Sequence, residues 1–491
     1  MDILQQCQKW NEEDEYRKII DALEDLPAEE RTPDTDMELA RAYNNLADLD
    51  DPNGAGMLRR AIALLRPLEE FFAEDHRWNF RMGYAYYYLD QEGRALPYFE
   101  KALEALPGDE DTQRLIDDCK KRISLPQFQK CFRERTEDWW RDFAKIEGEL
   151  RRRMDEDRGQ TQGEEIVGQM GEALDRVFGD VSFEMGFNGE KHELILTPEG
   201  DRVKLFELVY FRKQAPENVL EHWNILVGRQ SNPNMAMQTD DGWKVSGEDV
   251  QIRLEEGDEG RFAIFAYCEK LLELLREEEG RVWWMLTTLT DQMLGEIPHM
   301  RYIDSFEVLD QPRAEPSILL SKLPEELRAR GLDLSADPEA YLDTYSSYKM
   351  DPNEDPKADW RLDTIAGSSS CLDLLDCYLH ADNRFMDDLQ ADGAVGGFLC
   401  YPLAGLQEEE GSQKIFDVRD RLEEKLTEGD GEKAVTLIGG ATGIYCGYLD
   451  FIAWDLGSVL RRADEFFANS DIPWACFQSF RREANPILLK K

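Results

Sequence analysis

The sequence predicts a multidomain protein: an all-α helical array followed by two α+β domains. The last of these has its elements in the order strand-helix-strand-strand-helix-strand. Three observations carry this reading. Residues 1–124 repeat a helix-pair pattern that closes twice on Leu-Pro, at Leu26-Pro27 and at Leu106-Pro107. Residues 160–311 mix helix-period and strand-period segments, and residues 396–480 do so in the regular order just given. A chain of 491 residues also exceeds what one core can organise and fits about three domains.

Composition narrows the class. Apolar residues make up 42% and aromatics 10%, enough for a core in each domain. Against 103 acidic residues stand 58 basic ones, a net charge of -45. Phosphates would be repelled, which argues against nucleic acid and anionic membrane and favours a protein or peptide partner of basic character. The N-terminus MDILQQCQKWNEEDEYRK has neither a basic n-region nor an apolar h-region, and no run of 18 apolar residues exists. Neither a signal peptide nor a transmembrane helix is therefore expected, and a cytoplasmic location is. The nine cysteines are scattered and several sit in apolar runs (FLCY, IYCGY, WACF). They read as small buried hydrophobes in a reducing compartment.

Within the array, Trp78 to Asp109 reads WNFRMGYAYYYLDQEGRALPYFEKALEALPGD. Gly83 and Tyr86 are the small and large packing positions of a first helix. Ala95, Phe99 and Ala102 supply the complementary ridge of a second, and Pro107 closes the unit. An earlier copy has Leu39, Ala40 and Tyr43 in its first helix and Leu58 to Phe72 in its second. Residues 1–27 read as a further helical unit, and Glu110 to Ser124 as a capping helix. This pattern resembles the tetratricopeptide repeat. The turn DLDDPNGAG is longer than that family uses, and Trp78 stands one place before its usual aromatic position. The resemblance implies that the first helices line a concave groove for a peptide or a partner helix. By position, that groove would present Met37, Arg41 and Asn44 from one repeat and Phe80, Tyr84 and Tyr87 from the next. The competing occupant is the chain's own amphipathic helix within 125–156, which carries Phe128, Phe132, Trp139, Phe143, Ile146 and Leu150.

The polar run 155–165 reads as a linker. A helix follows, with Ile166, Met170, Leu174 and Val177 on one face and Gly179 at its end. Phe183, Met185 and Phe187 alternate up to Asn188-Gly189, and Leu194 and Leu196 continue beyond it, which predicts a hairpin with a tight type I′ turn. A helix over 202–214 and a strand over 223–229 come next. Strands over 243–255 and 261–268, a helix over 278–294 stopped by Gly295 and Pro298, and a strand over 301–309 complete one sheet with helices on one face. This segment resembles an α/β domain of unknown function often attached to such repeats in bacterial proteins, a resemblance that brings no activity with it.

PRAEPS (312–317) reads as another linker, opening a C-terminal domain over 318–491. Residues 318–394 read as an irregular, largely helical preface with an acidic loop at 349–359. Strand GGFLCYPL, helix 411–427, strand AVTLIG, strand IYCGYLDFIAW, helix 456–469 and strand WACFQSF then give the ferredoxin-like order, with Asp455 placed to cap the second helix.

Gly439-Gly440-Ala441-Thr442-Gly443 joins two strands and has no helix or Lys behind it, so it reads as a hairpin turn and not a phosphate cradle. Gly367 to Cys371 precedes a helix and reads as a cap. Cys371, Cys377 and His380 lack metal-ligand spacing. Tyr448 and Asp450 share one face of a central strand, where the carboxylate is either a recognition group or the partner of an Arg. No catalytic residue, metal or cofactor is expected. The sequence thus points to a non-enzymatic interaction or adaptor protein, with neutralisation of a basic toxin as a sharper version. The rival is a small-molecule sensor or an enzyme with its site on the C-terminal sheet.

Overall fold

The computed structural model describes residues 3–27, 30–48, 53–156, 163–233, 235–239, 241–257, 260–313, 316–404 and 411–491. Parts of the expected turn 48–56 and of the linkers 155–165 and 312–317 lie outside them. The chain forms two compact units: Met1–Arg135 together with Ser346–Lys491, and Thr136–Tyr345. A helical N-terminal region is followed by sheet-containing regions, as expected.

The N-terminal helices are α1 (Ile3–Glu12), α2 (Tyr16–Glu24), α3 (Pro33–Leu46), α4 (Gly54–Leu65), the short α5 (Glu69–Phe72), α6 (His76–Tyr88), α7 (Glu92–Ala105) and α8 (Glu110–Ser124). Local chemistry sets their starts. Thr32 and Thr35 form a capping box ahead of Pro33, and Asp75 accepts the Arg77 and Trp78 amides at 2.8 and 3.1 Å. Successive helices pack on one another around Trp78, Met82, Tyr86 and Phe99. At Gly83 a Cβ would lie 2.8 Å from the Phe99 ring, so the absence of a side chain is what lets α6 and α7 meet.

Helix α9 (Phe132–Glu156) starts in the first unit, where Phe132 packs on Trp454 at 5.3 Å between ring centroids. Its later aromatics belong to the middle unit. Trp139 and Trp140 pack on Phe211 at 5.0 and 4.8 Å, and Phe143 packs on Trp223 at 5.5 Å. Their indole nitrogens donate to the carbonyls of Ala173 and Phe211 at 2.9 and 2.8 Å. Beyond Phe132, and with Ile146 left exposed, the apolar face of this helix is therefore spent within the middle unit.

That unit continues with α10 (Gly163–Leu174), β1 (Ser182–Phe187), β2 (His192–Thr197), α11 (Arg202–Lys213), α12 (Glu217–Leu220) and β3 (Trp223–Val227). The strands form a sheet ordered β1-β2-β3, with β2 and β3 parallel across α11. After Gly228, at φ +81°, come β4 (Ala236–Gln238), β5 (Lys244–Ser246), β6 (Gln251–Glu256), β7 (Phe262–Tyr267), α13 (Leu272–Glu277), α14 (Glu279–Leu294), α15 (Glu296–Tyr302), β8 (Ile303–Leu309), β9 (Ile318–Leu319), α16 (Leu323–Ala329) and α17 (Pro338–Leu342).

Four expectations are corrected here. Separate sheets replace the single one: β4-β5 pair alone and β8-β7-β6-β9 form a second layer, because this half builds its own core from Ile252, Ile264, Met285 and Leu289. The β1–β2 loop spans four residues, and only its Gly189 has positive φ, so it is not type I′; the Asn188 side chain instead accepts the amides of Glu190 and Lys191. Pro298 lies inside α15 and not at a stop. Residues 318 to 345 belong to this unit, since β9 pairs with β6 and Leu320, Leu323 and Leu327 enter its core.

The C-terminal segment holds β10 (Ser346–Lys349), β11 (Thr364–Ser369), α18 (Leu372–His380), α19 (Arg384–Asp392), β12 (Val395–Pro402), α20 (Gly411–Thr427), β13 (Val435–Gly443), β14 (Cys446–Ala453), α21 (Leu456–Ala468), β15 (Ala475–Ser479) and β16 (Ile487–Lys490). One antiparallel sheet runs β10-β11-β13-β14-β12-β15-β16. Helices α18 and α19 cover the face that carries Gly396 and Phe398; α20 and α21 cover the face of Gly440 and Tyr401. Asp455 caps α21 through the Ser458 amide at 2.9 Å. Two further corrections arise. The preface contributes strands β10 and β11, and Gly439 to Gly443 are strand, not turn. At Gly439, with φ +138°, a Cβ would come within 2.1 Å of the Ser368 carbonyl, so glycine admits β11 alongside β13.

Inside the first unit, α7 meets α19 through a buried polar seam. Arg122 donates to Glu92 at 3.1 Å and Gln390 donates to it at 2.5 Å, while Arg481 donates to Gln390 at 2.9 Å and to Asp387 at 2.6 Å. Burial first, and then the Asp90 carboxylate, push the Glu92 carboxyl up to about 7 against the pull of Arg122.

Two outcomes follow from this packing. Gly83→Val should force α6 from α7 and cost about 1–3 kcal/mol, read as a lower urea midpoint; an unchanged midpoint would show that the helices can part freely. Glu92 has a folded pKa above its ordinary value, so its favourable contribution is present below pH 4.5 and is lost as the pH rises through 7. Glu92→Gln should therefore gain thermal stability relative to the parent between about pH 5.5 and 8. Parallel melting curves across that range would contradict it.

Candidate functional site

Side chains four apart share a helix face, and on α6 that face carries His76, Phe80, Tyr84 and Tyr88. Their ring centroids follow one another at 6.0, 6.3 and 4.4 Å. The row is held from behind, because Phe80 rests edge-on against Phe99 at 5.8 Å and Tyr88 against Tyr87 at 5.2 Å, Tyr87 in turn resting on Phe99 at 6.3 Å. All four rings stay partly open, and Tyr88 is 38% exposed. Burial and then the neighbouring Tyr88 push the Tyr84 hydroxyl up to about 12, so it remains a neutral donor.

The positions expected to line a groove divide in the structure. Phe80 and Tyr84 lie in the row. Tyr87 stands beside it, its hydroxyl donating to Asp118 at 2.7 Å with the Arg122 guanidinium 5.2 Å over its ring. Arg41 is partly exposed and paired with Glu38. Met37 and Asn44, by contrast, are only 2% and 4% exposed. Asn44 donates to the Arg81 carbonyl at 3.0 Å, and Arg81 donates to the Met37 carbonyl at 2.8 Å. Closing the α3–α6 seam consumes both residues, so neither is available to a ligand. His76 and Tyr88 were missed, although their spacing from Phe80 and Tyr84 is legible in the sequence.

On the C-terminal sheet, Tyr448 and Asp450 are 0% and 1% exposed, so they are not open to a ligand, and of the two readings of Asp450 the pairing with an Arg is the one found. Asp450 is ion-paired with Arg361, itself fully buried and held at φ +69°. Arg361 also donates to the Tyr348 hydroxyl at 2.7 Å and stacks 5.1 Å from the centre of the Tyr448 ring. The Tyr448 hydroxyl accepts the Arg361 amide at 2.9 Å and donates to Asp363 at 2.5 Å. Burial pushes the Asp450 carboxyl up and the guanidinium pulls it back. Apart from the Arg361 Nε, which is buried without a hydrogen-bond partner, the network spends its polar atoms on its own members.

The other motifs also resolve into structure. Gly367 to Ser369 are strand, and Ser369 accepts the Cys371 amide at 3.0 Å just ahead of α18. Cys371 and Cys377 are buried while His380 is exposed, and among the described residues no group of three or more His, Cys, Asp or Glu side chains is arranged to hold a metal ion. In the middle unit, Arg229 at the end of β3 donates to Glu184 and Glu199, both at 2.7 Å, and Glu296 accepts the amides of Glu199 and Arg229. Burial and Asp291 push Glu296 up to about 8, against the downward pull of the Arg229 amide and charge. No family model matches the chain, and no curated protein or solved structure matches it.

Removing one partner of a buried pair strands the other. Asp450→Asn should therefore cost about 3–5 kcal/mol, and the Arg361→Met/Asp450→Leu double substitution markedly less than the two single ones together. Equal, additive losses in denaturant unfolding would mean that the two side chains do not act as a pair.

Proposed function

We propose that this is a non-enzymatic interaction protein, an adaptor whose N-terminal helices, of tetratricopeptide type, hold a peptide or protein partner. The supporting observation is the aromatic row His76, Phe80, Tyr84 and Tyr88, partly open to solvent and braced by Phe99. Tyrosines supply large, stiff contact area at low entropic cost, together with a hydroxyl for a peptide backbone. The net charge of -45 favours a partner of basic character over nucleic acid, and gains association rate at low salt. Among the described residues no helix is long and apolar enough to cross a membrane. A cytoplasmic location is part of this reading and rests on the scattered cysteines of the sequence.

The C-terminal sheet serves in this reading as a scaffold of ferredoxin-like type. The order β13-β14-β12-β15, with α20 and α21 on one face, supports that description.

Affinity capture from the native cell at low and high salt tests the proposal. A protein partner should be recovered with the parent chain, less so at high salt, and recovery should fall at least about tenfold with Tyr84→Ala/Tyr88→Ala, the scale of a lost aromatic hot spot. Undiminished recovery with that variant, or recovery of a metabolite alone, would overturn it.

A further inference from the structure

Three of the nine cysteines stand side by side on neighbouring strands. Cys400 in β12 is the direct cross-strand partner of Cys476 in β15; on its other side it faces Tyr448, two places along β14 from Cys446. Side chains alternate between faces along a strand, so all three sulfurs share one face. The Cys400 thiol touches both of the others.

Sheet geometry separates the two possible bridges. Direct antiparallel partners have Cα atoms about 4.5–5.5 Å apart, inside the roughly 4.4–6.8 Å that a disulfide spans. Diagonal neighbours such as Cys400 and Cys446 are about 7–8 Å apart, outside it. The backbone is therefore already placed for a Cys400–Cys476 bond and not for a Cys400–Cys446 bond. Access singles out the same residue. A cavity of about 160 Å³, walled by Trp360, Trp474, Pro486 and Leu488, opens onto Cys476. A water molecule occupies about 30 Å³ in the liquid, so a molecule the size of hydrogen peroxide fits.

We propose that Cys476 is an oxidation site for a hydroperoxide entering this cavity, and that Cys400 is its resolving thiol. In the first step the Cys476 thiolate attacks a peroxide oxygen. An S–O bond forms, the O–O bond breaks, and hydroxide leaves to become water, so that the sulfur is oxidised to a sulfenic acid as the peroxide is reduced. In the second step the Cys400 thiolate attacks the Cys476 sulfur. The S–S bond forms, the S–O bond breaks, and hydroxide departs with the proton given up by Cys400 as a second water. Two thiols and one hydrogen peroxide thus give one disulfide and two waters. The bond ties β12 to β15 beside Phe398, which the Arg361 guanidinium overlies at 5.3 Å. Burial raises the Cys400 thiol, and the thiolate is the nucleophile, so the bridge should form faster as the pH rises.

The test treats the full chain with hydrogen peroxide, blocks remaining thiols with N-ethylmaleimide under denaturing conditions, and digests without reduction for mass spectrometry. The expected result is the loss of two of the nine thiols, one cross-linked peptide pair joining Cys400 to Cys476, and full recovery with dithiothreitol. Cys446→Ser should leave that link in place. Cys400→Ala should leave Cys476 as a sulfenic acid that dimedone traps, a readout that needs no second cysteine substitution. Nine intact thiols, a bridge between any other pair, or dimedone labelling absent from Cys476 in the Cys400→Ala chain would overturn the proposal.

Discussion

Placing the Asp450 carboxylate at the centre of a seven-stranded sheet would cost several kcal/mol if it stood alone, and the architecture of the C-terminal segment follows from removing that cost. The counter-charge comes from 89 residues earlier in the chain, on the loop between β10 and β11. Delivering it bends Arg361 into the left-handed region, a further penalty of about 1–2 kcal/mol. Tyr348 and Tyr448 both bind the same arginine, and Asp363 binds Tyr448 and the amides of Tyr445 and Cys446 at 2.9 and 3.1 Å. Loop, edge strand and central strand are thereby welded into one object. A face built in this way has its polar groups committed inward, and that is why it reads as scaffold.

The same economy governs the basic residues elsewhere. With 58 cations to 103 anions, those that are buried do structural work. Arg81 closes α3 against α6, Arg135 donates to the Ala391 carbonyl at 2.8 Å, Arg229 ties β3 to its surroundings, and Arg481 completes the seam between α7 and α19. Arginine suits these places because its planar fork satisfies several acceptors while staying charged. Spending cations internally leaves the acidic excess on the outside, where it can act at a distance on a partner of opposite sign.

Local signals in the sequence carried most elements. The capping Asp455, the helix over 411–427 and the strands of the 396–480 core follow from periodicity and caps alone, since both are set by residues within a turn or two. What the sequence hid was non-local. Nothing near Arg361 announces a partner 89 positions away, and the short strand Ser346–Lys349 has no apolar alternation to betray it. Gly439 to Gly443 look like a turn because glycine usually marks one; here glycine is needed for the close approach of β11. Met37 and Asn44 were placed on a groove by position, and only the path of Arg81 across the α3–α6 seam showed them to be enclosed. His76 and Tyr88 are legible from their four-residue spacing to Phe80 and Tyr84, whereas the resemblance to the repeat points to Tyr87 instead.

The aromatic row on α6 gains its meaning by contrast with the other aromatic clusters. Trp139, Trp140 and Phe143 are closed over by Phe211 and Trp223, and Phe398 by Tyr378 and Phe480. In each case the rings have found partners and the apolar surface has left water. On α6 the rings touch one another, and Phe80 touches Phe99, while their outer edges stay open, so part of the transfer free energy, about 25 cal/mol for each Å² of apolar surface, is still unclaimed. Four neighbouring rings on one helix face that touch one another and keep their outer edges open leave surface whose natural use is contact with something else, whereas exposed aromatics such as Phe71 and Phe187 do not continue into a row of this kind.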